Sequence, residues 1–177
     1  NYVFYFLGFF WIFLVLFIEN IITINVPVLN KPLISAEYLQ GLSIVPLIAL
    51  AYIFHASFVL QESGPFLKNK TKNISICRGF GVIINIVLNL ILIPYYHQFN
   101  KAYLGAAIAT LISYFMMSCA IYIWNKSLFD FKYNWKIVIG VTVFIVIAWS
   151  ISIYNIMAVK FLLLFLYILY YKYINKS

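Results

Sequence analysis

A polar stripe inside a long apolar run is the first place where this chain could do chemistry. Arg78, Asn85 and Asn89 are spaced seven and four residues apart, which places them on one face of a helix. Polar groups within a membrane helix face protein or a water-filled cavity, because lipid does not solvate them. We expect Arg78 either to pair with a phosphate or to mark the cytosolic boundary. We expect the two Asn side chains to line a cavity or to bond across helices.

A second stripe precedes it on another apolar stretch. Tyr52, His55 and Glu62 lie three and then seven residues apart, so they too share a helical face. Intramembrane ionisable groups are functional candidates by default, and His55 is the one deepest in its run. Two interpretations stay open: the stripe is functional and faces a water-filled cavity, or it only hydrogen-bonds neighbouring helices.

A basic turn lies between the two stripes. Lys68, Lys70 and Lys72 follow the Gly64-Pro65 pair, which predicts the end of a helix and a loop over 63–72. Cationic groups at the mouth of a membrane cavity attract an anionic headgroup such as a pyrophosphate. The turn is therefore a candidate for headgroup attraction.

Catalysis and metal binding have little support in the sequence. The chain has four carboxylates, none close to another in sequence, and no motif typical of hydrolases, metalloproteases or nucleotide-binding proteins. The two cysteines, Cys77 and Cys119, lack metal-ligand spacing, and we expect them to pack as small apolar residues. We therefore expect a protein that is not an enzyme and has no metal or cofactor.

The elements that position these residues are membrane helices. Hydrophobic residues make up 66% of the chain and charged residues 9%, in apolar runs long enough to cross a bilayer. Because lipid leaves no partner for free backbone groups, these runs predict an all-α integral membrane helical bundle. We expect six transmembrane helices over about residues 3–25, 40–62, 73–95, 102–125, 137–154 and 158–173.

Further local signals refine this division. Pro94 predicts the end of the third helix, and Gly105, Ala109 and Ser113 recur every four residues, a pattern typical of close helix packing. The last two helices have no polar stripe, and we expect them to be peripheral and to face lipid. We assign 1–125 to one transmembrane bundle and 126–177 to two additional helices.

Charge sets the predicted orientation. Nine of the 12 Lys and Arg residues fall in the breaks after the second and fourth helices or at the C-terminus, and Lys31, Lys101 and Lys160 fall on the other side. The positive-inside rule then places the C-terminus in the cytoplasm. This bias explains the net charge of +8 without nucleic acid. Because the chain begins at Asn1 within an apolar run, we expect the C-terminal part of a longer protein.

Residues 37–129 resemble a known family. The stretches that carry the likeness are EYLQGLSIVPLIALAYIFHASF (37–58), KTK (70–72), NIVLNLILIP (85–94) and LGAAIATLISYF (104–115). They resemble the C-terminal half of polysaccharide-biosynthesis flippases, which belong to the multidrug/oligosaccharidyl-lipid/polysaccharide exporter superfamily. The resemblance implies two helical lobes around a central cavity, with this chain supplying the C-terminal lobe and lacking the N-terminal one.

The function that the resemblance implies is lipid-linked glycan transport. Such flippases move undecaprenyl-pyrophosphate-linked oligosaccharide across the bacterial inner membrane for O-antigen or capsule synthesis, by alternating access. Membrane lipid and this glycan are the implied partners, with a glycan polymerase and a chain-length regulator as further candidates. A drug/cation antiporter of the same superfamily is the alternative, with Glu62 as its one candidate carboxylate. A membrane-embedded glycan polymerase is a third, which the short outer loops disfavour.

Overall fold

The protein is a bundle of apolar helices. The computed structural model describes residues 2–22, 25–26, 31–32, 41–127, 135–152 and 156–174. The helices in it are α1 (Tyr2–Ile22), α2 (Val45–Gln61), α3 (Ser63–Leu67), α4 (Lys72–His97), α5 (Ala102–Asn125), α6 (Trp135–Ser152) and α7 (Met157–Ile174). A two-residue antiparallel ladder, β1 (Asn25–Val26) with β2 (Lys31–Pro32), follows α1.

The helices differ in whether they are long enough to span a membrane. Five of the described helical segments are long and apolar enough to cross a membrane, namely Tyr2–Ile22, Gly41–Leu67, Lys72–His97, Ala102–Asn125 and Met157–Ile174. Lys136–Ser152 is a shorter apolar helix. The predicted all-α membrane bundle is confirmed, with five full-length spans and one shorter helix where six spans were expected. The predicted loop 126–136 lies mostly outside the described residues.

The chain forms two compact units. The central unit is Ser43–Lys132, and the flanking unit joins Asn1–Leu42 to Tyr133–Ser177. In the flanking unit α1 packs with α6 and α7, whereas the sequence division placed α1 with the helices of the central unit. Residues on α1 spaced three or four apart are buried, among them Tyr5, Gly8, Ile12 and Val15. This spacing gives α1 one packed face, as an amphipathic helix requires.

Aromatic side chains fill the flanking unit. The Tyr167 hydroxyl donates to the Tyr5 carbonyl oxygen at 2.8 Å, and the two rings meet edge-on with centroids 5.8 Å apart. Gly8 leaves room for this contact, because a Cβ there would lie 2.6 Å from the Tyr167 hydroxyl. The Tyr170 hydroxyl donates to the Lys136 carbonyl oxygen at 2.7 Å. Ring packing and hydroxyl bonds therefore join α1, α6 and α7.

Lys160 corrects one expectation about the last helices. The sequence counted Lys160 with the charges of the outer break at the start of the final span, and that span was expected to be peripheral and to face lipid. In the structure Lys160 lies in α7, is 1% exposed, and donates through Nζ to Asn20 Oδ1 on α1 at 3.1 Å. The ammonium also lies 5.9 Å from the Phe17 ring centroid. A buried cation needs such partners, and α7 is thereby tied to α1 instead of only facing lipid.

The central unit departs from the predicted helix ends at two prolines. Helix α2 ends near its predicted limit, but residues 63–67, expected as loop, form the short helix α3. Pro65 lies in the first turn of α3, where a missing N–H is tolerated. Pro94 was expected to end its helix, yet α4 runs through it to His97. Transmembrane helices tolerate proline because neighbouring groups satisfy the freed carbonyl.

Helices α4 and α5 approach closely at a glycine. A Cβ on Gly105 would lie 2.6 Å from the Leu92 carbonyl oxygen and 2.9 Å from the Ile93 nitrogen. Gly105, Ala109 and Ser113, the small residues singled out in the sequence, are all buried on α5. Toward the start of α4, a core of apolar residues from α2, α4 and α5 forms, namely Phe58, Ile74, Cys77, Met117 and Ile121.

Candidate functional site

A cavity of about 520 Å³ lies among helices α2, α4 and α5 of the central unit. Helix α2 contributes His55, and α4 contributes Arg78 and Asn85, together with apolar neighbours. Helix α5 contributes polar and aromatic side chains. The full lining is His55, Arg78, Gly81, Val82, Asn85, Ile86, Thr110, Ser113, Tyr114 and Met117. Both polar stripes of the sequence therefore reach one cavity.

The α4 wall follows the helical repeat. Arg78, Val82 and Asn85 lie four and three residues apart, so they project to the same side. Asn89 continues this face but is not among the lining residues. Its Nδ2 donates to Asn85 Oδ1 at 2.9 Å, so the two amides bond along their own helix and not across helices as expected. This bond holds the Asn85 carbonyl oxygen and does not use the Asn85 amide nitrogen, which can donate to another group.

The α5 wall presents two hydroxyl groups. The Thr110 hydroxyl donates to the Ala106 carbonyl oxygen at 2.9 Å, and the Ser113 hydroxyl donates to the Ala109 carbonyl oxygen at 2.6 Å. This back-bonding to the preceding turn is common for hydroxyl side chains within helices. Thr110 and Tyr114 were not singled out in the sequence. Their four-residue spacing, continuing to Ser118, was the signal that could have found them.

Two aromatic rings, His55 on α2 and Tyr114 on α5, line one side of the cavity. The His55 and Tyr114 ring centroids lie 4.8 Å apart. The Tyr52 ring lies 6.2 Å from His55 and 6.1 Å from Tyr114, but Tyr52 is 58% exposed and is not a lining residue. Of the predicted stripe on α2, His55 alone lines the cavity.

Glu62 forms an ion pair with Arg78. Both Nε and Nη2 of Arg78 donate to Glu62 Oε1, at 2.9 and 2.6 Å. The Glu62 side chain is 9% exposed and that of Arg78 is 59% exposed, so the pair joins a buried carboxylate to a largely accessible guanidinium. The guanidinium also lies 5.8 Å from the Phe58 ring centroid. The sequence placed both residues at the cavity but did not predict their pairing, because the two residues belong to different helices.

A buried polar cluster lies near this pair and was missed in the sequence. Pro65 has no N–H to bond the Gln61 carbonyl oxygen, and the Asn125 side chain donates to that oxygen at 2.8 Å instead. The Gln61 amide nitrogen contacts the Ser57 and Ser118 hydroxyl oxygens at 3.2 and 3.4 Å. The Gln61–Asn125 bond closes the end of α2 against α5. The helix-breaking proline was the signal for a freed carbonyl.

The basic turn is accessible. Lys68, Lys70 and Lys72 are all exposed, between the end of α3 and the start of α4. Asn69 adopts a left-handed conformation with φ 53°, which is a common way for a helix to end. Lys72 lies six residues before Arg78 on α4, about 9 Å along the helix axis. The cavity wall therefore continues toward this cationic turn.

The described part of the chain holds no group of three or more His, Cys, Asp or Glu residues that could bind a metal ion. The arrangement can instead bind a ligand through hydrogen bonds, ring contacts and charge. No protein-family model matches the chain, and neither a curated protein nor a solved structure matches it.

Proposed function

We propose that this chain belongs to a flippase that moves undecaprenyl-pyrophosphate-linked oligosaccharide across the bacterial inner membrane. The observation that carries the proposal is the cavity among α2, α4 and α5, where an imidazole, a guanidinium, an amide and hydroxyl groups line one space within predominantly apolar helices. Polar groups are costly within a membrane, and their gathering around one space favours the passage of a polar ligand. In this proposal the chain transports its ligand without catalysing a reaction.

Charge supports an anionic lipid-linked ligand. The exposed lysines of the basic turn lie directly before and at the start of α4, which forms one wall of the cavity, and they would attract a pyrophosphate at the membrane surface. The net charge of the whole chain, +8, is also opposite in sign to that of a pyrophosphate. Under the positive-inside orientation, the turn and the C-terminus face the cytoplasm, where such lipid-linked glycans are assembled.

The proposal includes a second lobe. Alternating access requires two bundles that rock around a shared site, and this chain supplies the C-terminal one. The N-terminal lobe of the same protein is then its principal partner, together with membrane lipid. A glycan polymerase and a chain-length regulator would act on the transported product.

The burial of Glu62 is the one observation that favours a second candidate, a drug/cation antiporter. A buried carboxylate in a membrane helix suits the exchange of protons or sodium for a cationic drug. However, Glu62 forms an ion pair with Arg78, which compensates its charge, and we therefore prefer the flippase.

Depletion of the full-length protein in cells tests the two candidates. The flippase predicts that lipid-linked repeat units accumulate on the cytoplasmic leaflet and that surface polysaccharide falls. Complementation with Lys68→Gln, Lys70→Gln and Lys72→Gln together should lower export about a hundredfold, because each lysine contributes about 1 kcal/mol at an anionic surface and tenfold corresponds to about 1.4 kcal/mol. Lys172→Gln, an exposed lysine in the last turn of α7, is the matched control. An unchanged lipid-linked pool with new drug sensitivity would favour the antiporter.

A further inference from the structure

The hydrogen-bonding capacity of the cavity wall is uneven. Thr110 and Ser113 have used their hydroxyl protons on carbonyl oxygens of their own helix, so toward the cavity they can only accept. Asn85 has used its carbonyl oxygen on Asn89, so it can donate through its amide nitrogen. A ligand that complements this wall must therefore both donate and accept. Hydroxyl groups on neighbouring carbons do both.

The charge of the same wall is balanced. Arg78 lines the cavity, but two of its nitrogen atoms donate to Glu62 Oε1, and the pair carries no net charge. Lys70 and Lys72 lie outside the cavity lining, in the exposed turn at the start of α4. The wall from Thr110 to Asn85 is thus suited to an uncharged polar group more than to a pyrophosphate.

The aromatic rings in the cavity lining offer a surface on which the apolar face of a ligand can lie. The His55 and Tyr114 rings, 4.8 Å apart and tilted by 42°, form part of the lining. Aromatic rings bind the apolar faces of ligands while neighbouring polar groups fix their orientation.

We infer that the cavity wall of Asn85, Thr110 and Ser113 binds the saccharide of the transported lipid, while its pyrophosphate lies at the basic turn as long as the cavity is open to the cytoplasm. This inference rests on the proposed function and assigns the parts of its ligand to two places. Thr110 then determines specificity for sugar-bearing lipid, a role that the sequence did not suggest.

Binding to the full-length protein in nanodiscs tests this assignment with two probes. One probe is a short-chain prenyl pyrophosphate, and the other is the same lipid carrying an oligosaccharide long enough to reach Asn85 from the basic turn. Asn85 lies 13 residues after Lys72 on α4, about 20 Å along the helix axis. Thr110→Val keeps the shape but removes the acceptor, and we expect it to weaken the sugar-bearing probe about fivefold. This is the effect of one neutral hydrogen bond, since tenfold corresponds to about 1.4 kcal/mol. The sugar-free probe should bind Thr110→Val as it binds the wild type.

Two matched variants control for packing. Thr110→Ser keeps the acceptor, so it should bind both probes as the wild type does. Thr142→Val removes a hydroxyl that back-bonds to the Val138 carbonyl oxygen in the same way, but on α6 and outside this cavity. It should change neither affinity.

Several results would overturn the inference. Equal weakening of both probes by Thr110→Val, or no weakening of either, would remove Thr110 from sugar recognition. A wild-type protein that binds the sugar-bearing probe no tighter than the sugar-free one would exclude a saccharide subsite. If the wild type binds neither probe, the proposed function itself fails. Glycan export by the wild type alongside an unselective Thr110→Val would leave the flippase standing without this subsite.

Discussion

The polar groups beside the pockets of the two units are bonded differently. In the flanking unit, Tyr167 bonds across to Tyr5 on α1, and Lys160 bonds across to Asn20. In the central unit, Asn125 bonds across to Gln61 in the same way. The cavity-lining Thr110, Ser113 and Asn85 instead bond within their own helices, so the central unit also keeps polar groups beside an open space.

The pockets of the two units differ accordingly. The flanking unit has a pocket of about 370 Å³ lined by Tyr, Phe and Ile side chains of α1 and α7. The central unit has the larger cavity, with a guanidinium, an imidazole, an amide and hydroxyl groups in its lining. Because helices in lipid gain little from hydrophobic burial against one another, polar bonds and close packing must hold them together. The described contacts of the flanking unit therefore hold helices together, whereas the central unit also contains a cavity with polar groups in its lining.

We expect the largest loss of stability from a substitution where the backbones of α4 and α5 pack closely in the central unit. Gly105→Leu should lower the free energy of unfolding by about 3 kcal/mol, because its side chain would meet the backbone of α4 at Leu92 and backbone cannot move aside cheaply. Thermal unfolding in detergent measures this as a lower Tm. Gly79→Leu is the control, since a Cβ at Gly79 meets nothing within 4 Å. Equal Tm values for the two variants would contradict the close approach.

Removing either partner of the Arg78–Glu62 ion pair should destabilise the central unit by a different amount. Arg78→Gln leaves the buried Glu62 carboxylate without its cation and should cost about 2 kcal/mol, less than a fully buried pair because Arg78 is largely accessible. Glu62→Gln leaves an accessible guanidinium and should cost less than about 1 kcal/mol. Tm values of both variants and of the double variant measure the difference. A larger loss for Glu62→Gln would mean that Arg78 is the residue that depends on the pair.

The hydroxyl bonds of the flanking unit give the smallest effect. Tyr167→Phe removes the bond to the Tyr5 carbonyl oxygen and should lower the free energy of unfolding by about 1 kcal/mol. Tyr170→Phe removes an exposed bond to Lys136 and should cost less than about 0.5 kcal/mol. Thermal unfolding ranks the two. If Tyr170→Phe costs as much as Tyr167→Phe, burial does not set the strength of these bonds.

Helical spacing in the sequence predicted which residues share a face of one helix, but it did not predict which of them line the cavity between helices. The seven-residue spacing of Arg78 and Asn85 was sufficient to place both on one face of α4, and both line the cavity. Tyr52 and Asn89 satisfied the same spacing rule but are not lining residues. Periodicity gives the face of a helix, whereas the width of the cavity depends on the neighbouring helices.

The sequence by itself determined that this protein is a bundle of apolar helices, and it located the ends of α5, at Ala102 and Asn125, correctly. Length and hydropathy suffice for this, because each helix satisfies its own backbone bonds in lipid. Tertiary structure alone decided that Glu62 pairs with Arg78 and that Lys160 pairs with Asn20, 140 residues away. Such pairs form because a buried charge must find a partner, and the packing of helices determines which partner lies within reach.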